Sequence, residues 1–157
     1  MRKILSLSLV VMFFAVVSVY AGGKSPVKIG IITPIEIPKA DVVHGVDLSM
    51  LGSTGVETQG LQLSTFFVNS TDKMVGYQSA LVTKAGSMSI MQNGFVNLAD
   101  EVTGVQIGFW NGSNMVSGVQ LGVINITDEM KGVQIGLINV IKRGKLPFMV
   151  IANACFG

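Results

Sequence analysis

Between Gly104 and Asn139 the chain repeats one pattern of apolar and polar positions three times. Gly104-Val105-Gln106-Ile107-Gly108-Phe109-Trp110-Asn111 returns as Gly118-Val119-Gln120-Leu121-Gly122-Val123-Ile124-Asn125 and as Gly132-Val133-Gln134-Ile135-Gly136-Leu137-Ile138-Asn139. The spacing is fourteen residues. The frame extends backward to units starting at Ile90, with Gln92, Gly94 and Asn97, and at Gly76, with Gln78, Ala80 and Thr83. Two further units start at Gly60, sixteen residues long with Gln62, and at Gly45, fifteen residues long with Asp47 in the glutamine column. Seven units thus span 45–145, and columns are numbered below from the first residue of each unit.

Fourteen residues also equal two heptads, so a helical array is the first alternative. Glycine at the first and fifth columns argues against it, because each glycine inside a helix costs about 1 kcal/mol relative to alanine. Columns two, four and six are apolar, as in Val119, Leu121 and Val123, which is the alternation of a strand. No proline lies between Pro38 and Pro147, and the two extra residues of the Gly60 unit keep every side chain on its original face.

The direction of successive strands follows from what repeats. An up-and-down meander places its turns at alternate ends, so odd and even units come to differ. Here Asn97, Asn111, Asn125 and Asn139 recur in every unit, as do Met88, Val102, Val116 and Met130. The pattern predicts an all-β fold, a β-solenoid of about seven coils with like residues stacked about 4.8 Å apart. Columns two, four and six, the seventh column (Trp110, Ile124, Ile138) and the Met/Val column are expected inside. The small fifth column, from Ser49 to Gly136, is expected to form a shallow channel outside. Residues 22–44, with Pro26, Pro34 and Pro38, read as an extended N-terminal cap sharing none of these columns, and 146–157 as a C-terminal cap. The alternative architecture is a small outer-membrane β-barrel with columns two, four and six facing lipid. Its alternating stretches of about seven residues fall short of the ~9–11 of a spanning strand.

The N-terminus changes the compartment expected. Basic Arg2-Lys3, an apolar stretch from Ile4 to Val19 and Val19-Tyr20-Ala21 before Gly22 form the three parts of a signal peptide over 1–21, with an uncleaved anchor as the alternative. Export to the cell surface, outer membrane or periplasm is therefore expected. Composition agrees with a folded chain, at 49% apolar and 13% charged residues. Eleven basic residues less Arg2 and Lys3 leave nine against nine acidic, so no nucleic-acid partner is expected. Lys142, Arg143 and Lys145 read as a solvated turn. Cys155, the single cysteine, reads as a small core residue with no intramolecular disulfide to make.

Candidate chemistry is sparse. His44 lies near Asp41, Asp47 and Ser49, but neighbouring strand residues without an oxyanion motif do not supply triad geometry. Asp72, Asp100, Asn114 and Asp128 share the eleventh column and could stack around Ca²⁺, yet Gly86 and Lys142 interrupt them, which favours solvated turn residues. The glutamines read as a side-chain amide ladder; a flat repeating polymer such as a glycan would best match them as a ligand. Sequons at Asn69, Asn111 and Asn125 read as turn chemistry. No catalytic, metal or cofactor site is expected, and an enzyme is the most distant reading.

The thrice-repeated Gly-Val-Gln-(Ile/Leu)-Gly-x-x-Asn, followed by Gly144-Lys145-Leu146-Pro147-Phe148, resembles a family of bacterial exported surface repeat proteins of uncharacterised function. The resemblance covers about two-thirds of the chain. It implies an exported repeat protein of the cell envelope, a structural or binding module whose partner, an envelope component or a glycan, is not named by the pattern.

Overall fold

The computed structural model describes residues 23–156, so the signal peptide expected over 1–21 and its expected cleavage after Ala21 lie outside the described residues. The chain is a β-solenoid of about six turns of about fourteen residues. Its elements are β1 (Gly23–Ile32), β2 (Ile35–Ile37), β3 (Ala40–Ser64), β4 (Val68–Ser79), β5 (Val82–Asn93), β6 (Val96–Ile141) and β7 (Phe148–Phe156), and they join in the order β2-β1-β3-β4-β5-β6-β7. β6 runs for 46 residues because each bend turns the backbone without interrupting its hydrogen bonding to the rungs above and below.

Successive passes are parallel and in the register of the repeat: Gln62 pairs with Gln78, Gln78 with Gln92 and Gln92 with Gln106. Parallel passes and a sheet with two free ends overturn the barrel alternative. The seventh unit is incomplete, since β6 ends at Ile141 and the chain then reverses into β7. That strand covers the last rung in antiparallel pairing, with Val133 opposite Ala154 and Ile135 opposite Ala152.

The assignment of inner and outer faces is the main correction. Columns two, four, six and seven point outward: Phe109 and Trp110 are each 42% exposed, Leu137 is 62% exposed, and Leu121 is half-buried. The glutamine and asparagine columns point inward, and Gln120 and Asn125 are 0% exposed. Of the expected interior only the Met/Val column holds its place. Met74, Met88, Val102, Val116 and Met130 form an apolar strip with Ala85, Ala99 and Ile141.

Amides can occupy the interior because the stacking satisfies them. Gln134 Nε2 donates to Gln120 Oε1 at 2.8 Å, Gln120 to Gln106 at 2.7 Å, Gln106 to Gln92 at 2.8 Å, Gln92 to Gln78 at 2.9 Å and Gln78 to Gln62 at 2.8 Å. The asparagine ladder is polarised the other way, with Asn97 Nδ2 donating to Asn111 Oδ1 at 2.8 Å, Asn111 to Asn125 at 2.7 Å and Asn125 to Asn139 at 2.8 Å. Buried amides cost little once hydrogen-bonded, and each such bond contributes about 1 kcal/mol net.

The glycine columns follow from these ladders. Asn111 Nδ2 also donates to the Leu121 carbonyl at 2.9 Å, which lays the amide over the fifth column. A Cβ on Gly122 would meet that nitrogen at 2.6 Å and would also strike the Gly108 carbonyl. The fifth column is therefore crowded, not an open channel. At the first column Gly118 has φ +149 and its Cβ would collide with the Gly104 carbonyl of the rung beneath. Ile90 occupies that same column with φ 95, a strained value for a β-branched residue.

Lys28 in the N-terminal cap does share a column with the repeats. Register pairing places it beside Asp47, at the head of the glutamine ladder. Its buried ammonium lies 3.3 Å from Asp47 Oδ2 and 3.5 Å from Glu36 Oε2 and donates to the Thr54 carbonyl at 3.0 Å. Asp47 Oδ2 accepts from Ser53 Oγ at 2.6 Å and from Gln62 Nε2 at 3.1 Å. A carboxylate only accepts, so it obliges Gln62 to present its NH₂ and orients every amide above it.

Candidate functional site

Two breaks in the alternation define the surface. Phe109 and Trp110 are consecutive outward residues, as are Asn114 and Met115, and each pair marks a bend. Three outer faces result, carrying columns two, four and six on the first, seven, nine and eleven on the second, and twelve and fourteen on the third.

The first face is apolar over the last three rungs, from Val105, Ile107 and Phe109 to Val133, Ile135 and Leu137. Phe95 and Phe109 stack with ring centroids 4.9 Å apart and planes 8° from parallel. Further toward the N-terminus Ser79 and Asn93 interrupt the fourth column, and Asn93 Nδ2 donates to the Tyr77 hydroxyl at 3.0 Å.

The second face carries a groove of about 310 Å³. Its shape comes from one exchange of large for small. Column seven is valine or isoleucine in the neighbouring units but Trp110 here, while column nine, Leu98 and Ile126 on either side, is Gly112. The pyrrole edge of the indole lies beside Gly112, where a Cβ would stand in ordinary contact 3.4 Å from Trp110 Nε1 and closer, at 3.1 Å, to Leu98 Cδ2. Along the rim run Asp100, Asn114, Asp128 and Lys142. Asn114 Nδ2 donates to Asp100 Oδ1 at 3.0 Å, and Lys142 Nζ lies 2.6 Å from Asp128 Oδ1.

The third face holds a groove of about 450 Å³ lined by Met115, Glu129, Lys131, Arg143 and Cys155. Cys155 is only half-buried, packed against the edge of the apolar strip. Arg143 Nη1 donates to Glu129 Oε1 at 2.5 Å.

The other sequence candidates fall as follows. Asp47 is interior, held by Lys28, Ser53 and Gln62, while His44 is exposed and lies near Glu57, so these groups are not brought together. Glu57 is held below the usual carboxylate range by hydrogen bonds from Gln59 and then Lys73, with smaller electrostatic help from Lys73 and His44. Ser49 shares a 2.5 Å hydrogen bond with Ser64. The eleventh column lies at a bend, where Asn114 is bonded to Asp100 and Lys142 is paired with Asp128. The sequon residues Asn111 and Asn125 are rungs of the interior ladder and Asn69 is buried in the same column, bonded to the Ser79 carbonyl; each is 0% exposed and none is a turn residue. The glutamine column is sealed inside the coil and offers nothing to a polymer.

No known family, curated protein or solved structure matches this chain. Its chemistry must be read from its own surface. The Trp110–Gly112 exchange went unread in the sequence because alignment by recurring residues passes over the unit that departs; a column-by-column comparison of side-chain volume would have found it.

Proposed function

We propose that this chain is an exported, non-enzymatic structural module of the cell envelope that self-associates through the apolar face of its solenoid. One observation carries the reading: apolar side chains point outward over an interior whose polar groups, apart from Asp47 Oδ1 and Gln134 Oε1, satisfy each other. A solenoid that keeps its amides inside and its valines, leucines and isoleucines outside has displaced its hydrophobic surface to where a partner must cover it. Over its last three rungs the face is about 13 Å across and about 14 Å long from the strand spacings, some 190 Å² in plan. Columns two and six stay apolar on either side of Ser79 and Asn93, with Leu81, Met91 and Phe95, so the apolar rows continue past that break.

A second copy is the partner that fits. Rungs on both copies share one spacing, so a two-fold axis brings apolar rows between apolar rows without any charged group opposing another. The nine basic and nine acidic residues beyond Lys3 give no net attraction to an anionic lipid surface. Export rests on the signal-peptide pattern of 1–21, and the resemblance to bacterial surface repeat proteins supports the envelope location.

Sedimentation of the chain lacking residues 1–21 tests the proposal. The expected species is a dimer, and Leu121→Lys or Ile135→Lys converts it to a folded monomer. A wild-type monomer, or a dimer indifferent to both substitutions, overturns self-association through this face. Recovery only in detergent replaces the second copy with lipid.

A further inference from the structure

We propose that the groove on the second face, floored by Trp110 and rimmed by the eleventh column, binds a neutral oligosaccharide. The inference goes beyond the self-associating module proposed above and concerns a face separate from the apolar one.

The first argument is the aromatic platform. Trp110 is the only tryptophan of the chain, and it is 42% exposed although a bulky indole on a β-surface usually finds cover. Gly112 leaves room for the indole edge to settle against the backbone, so the ring is supported from beneath and keeps accessible surface above. Nothing among the described residues accepts a hydrogen bond from its Nε1–H, which is free for a ligand oxygen. An aromatic ring with one apolar face and one polar edge matches the face of a pyranose, whose C–H groups stack while its hydroxyls bond outward.

The second argument is the rim. Asp100, Asn114 and Asp128 present one carboxylate or amide at each successive rung, about 4.8 Å apart. Those groups accept and donate hydrogen bonds at repeated intervals, as the hydroxyls of consecutive sugar rings require. The apolar side chains of Leu98 and Ile126 line the groove beside the indole. An apolar floor with a few convergent polar groups is the usual composition of a small-molecule site, and about 310 Å³ is at the lower end of the usual range of roughly 300–1,000 Å³.

Charge selects against the alternatives. Lys84 and Lys142 balance Asp100 and Asp128 among the lining residues, and Lys142 is already paired with Asp128 at 2.6 Å. With the lining charges balanced and one pair already formed, neither an anion nor a cation gains a net attraction there. A neutral polyol needs none. Asn114 is bonded only to Asp100 among side chains, which leaves its Oδ1 and remaining N–H for the ligand.

The solitary tryptophan makes the test direct. Trp110 emission is followed while cellotetraose, and separately chitotetraose, is added to the purified chain. A saturable change with one of them is expected, with Kd on the order of 0.1–1 mM for so shallow a site. Gly112→Ile restores the side chain found at Ile126 and displaces the indole; it should weaken binding about tenfold or more. Asn114→Ala, an exposed substitution that leaves the fold intact, should weaken it several-fold. Leu121→Lys, on the other face, should bind as the wild type does, so failure of self-association and failure of this site are separately visible. The proposal is overturned if neither oligosaccharide gives a saturable change, or if the folded Asn114→Ala and Gly112→Ile variants bind as tightly as wild type.

Discussion

Replacing Gln120 with alanine separates a polar interior from an apolar one. Gln120 Nε2 donates to Gln106 Oε1 at 2.7 Å and its Oε1 accepts from Gln134 Nε2 at 2.8 Å, so the substitution removes two buried ladder bonds, about 2 kcal/mol. Their partners keep other bonds, Gln106 Oε1 from Ser113 at 2.9 Å and Gln134 Nε2 to the Val140 carbonyl at 3.1 Å, which spares the further cost of orphaned groups. The lost side-chain volume leaves a cavity in a rung that cannot collapse, adding about 1–3 kcal/mol. The total is about 3–5 kcal/mol. Leu121→Ala, one residue away, removes a half-buried side chain and should cost only about 1 kcal/mol. For a chain of this size each kcal/mol lowers Tm by about 2–4 °C, so Gln120→Ala should melt roughly 10 °C below wild type and Leu121→Ala about 3 °C below. Far-UV circular dichroism melts at about 1 µM, where association contributes least, give both values. If Leu121→Ala proves the more damaging of the two, the leucine is the interior residue and the ladder account is wrong.

Three further substitutions probe other parts of the stack. Gly122→Val drives a Cβ into Asn111 Nδ2 and should destabilise by more than about 2 kcal/mol in urea denaturation; a neutral result would mean the fifth column is open. Ile90→Gly relieves a strained φ at the one repeat unit lacking a first-column glycine and should raise stability by about 1 kcal/mol, whereas a lower melting temperature would show that Ile90 packs more than it strains. Lys28→Met leaves Asp47 buried without its cation and should cost about 3–5 kcal/mol, with partial recovery when Asp47→Asn is added; no recovery would locate the loss in lysine packing instead.

Much of the architecture is legible in the chain because translation by one unit leaves a direct mark. Fourteen-residue recurrence of Gln, Asn and Met/Val gives the rung, its parallel stacking and its register, and the even insertion in the Gly60 unit is absorbed without reversing a face. The inside and outside are not legible by the same route. Binary patterning assigns apolar residues to the interior, and here amide ladders meet their own hydrogen-bonding needs, which removes the usual penalty on burying them. The clue was the constancy of Gln and Asn beside varying apolar partners: Phe109, Val123 and Leu137 exchange freely at column six, as surface positions do. Lys28 escaped for a different reason, since nineteen residues separate it from Asp47 and no fourteen-residue frame reaches it. The second-face groove depends on Trp110 and Gly112 together, and neither residue alone signals it.

Hydrogen–deuterium exchange of the side-chain amides, read residue by residue in ¹⁵N-labelled protein, measures the polar interior most directly. The NH₂ groups of Gln92, Gln106, Gln120 and Gln134 and of Asn97, Asn111 and Asn125 should remain protonated long after exposed Gln59 and Asn114 have exchanged, because each is buried and bonded to its neighbour in the stack. Exchange of the ladder amides as fast as that of Gln59 and Asn114 would place them in solvent and contradict the account.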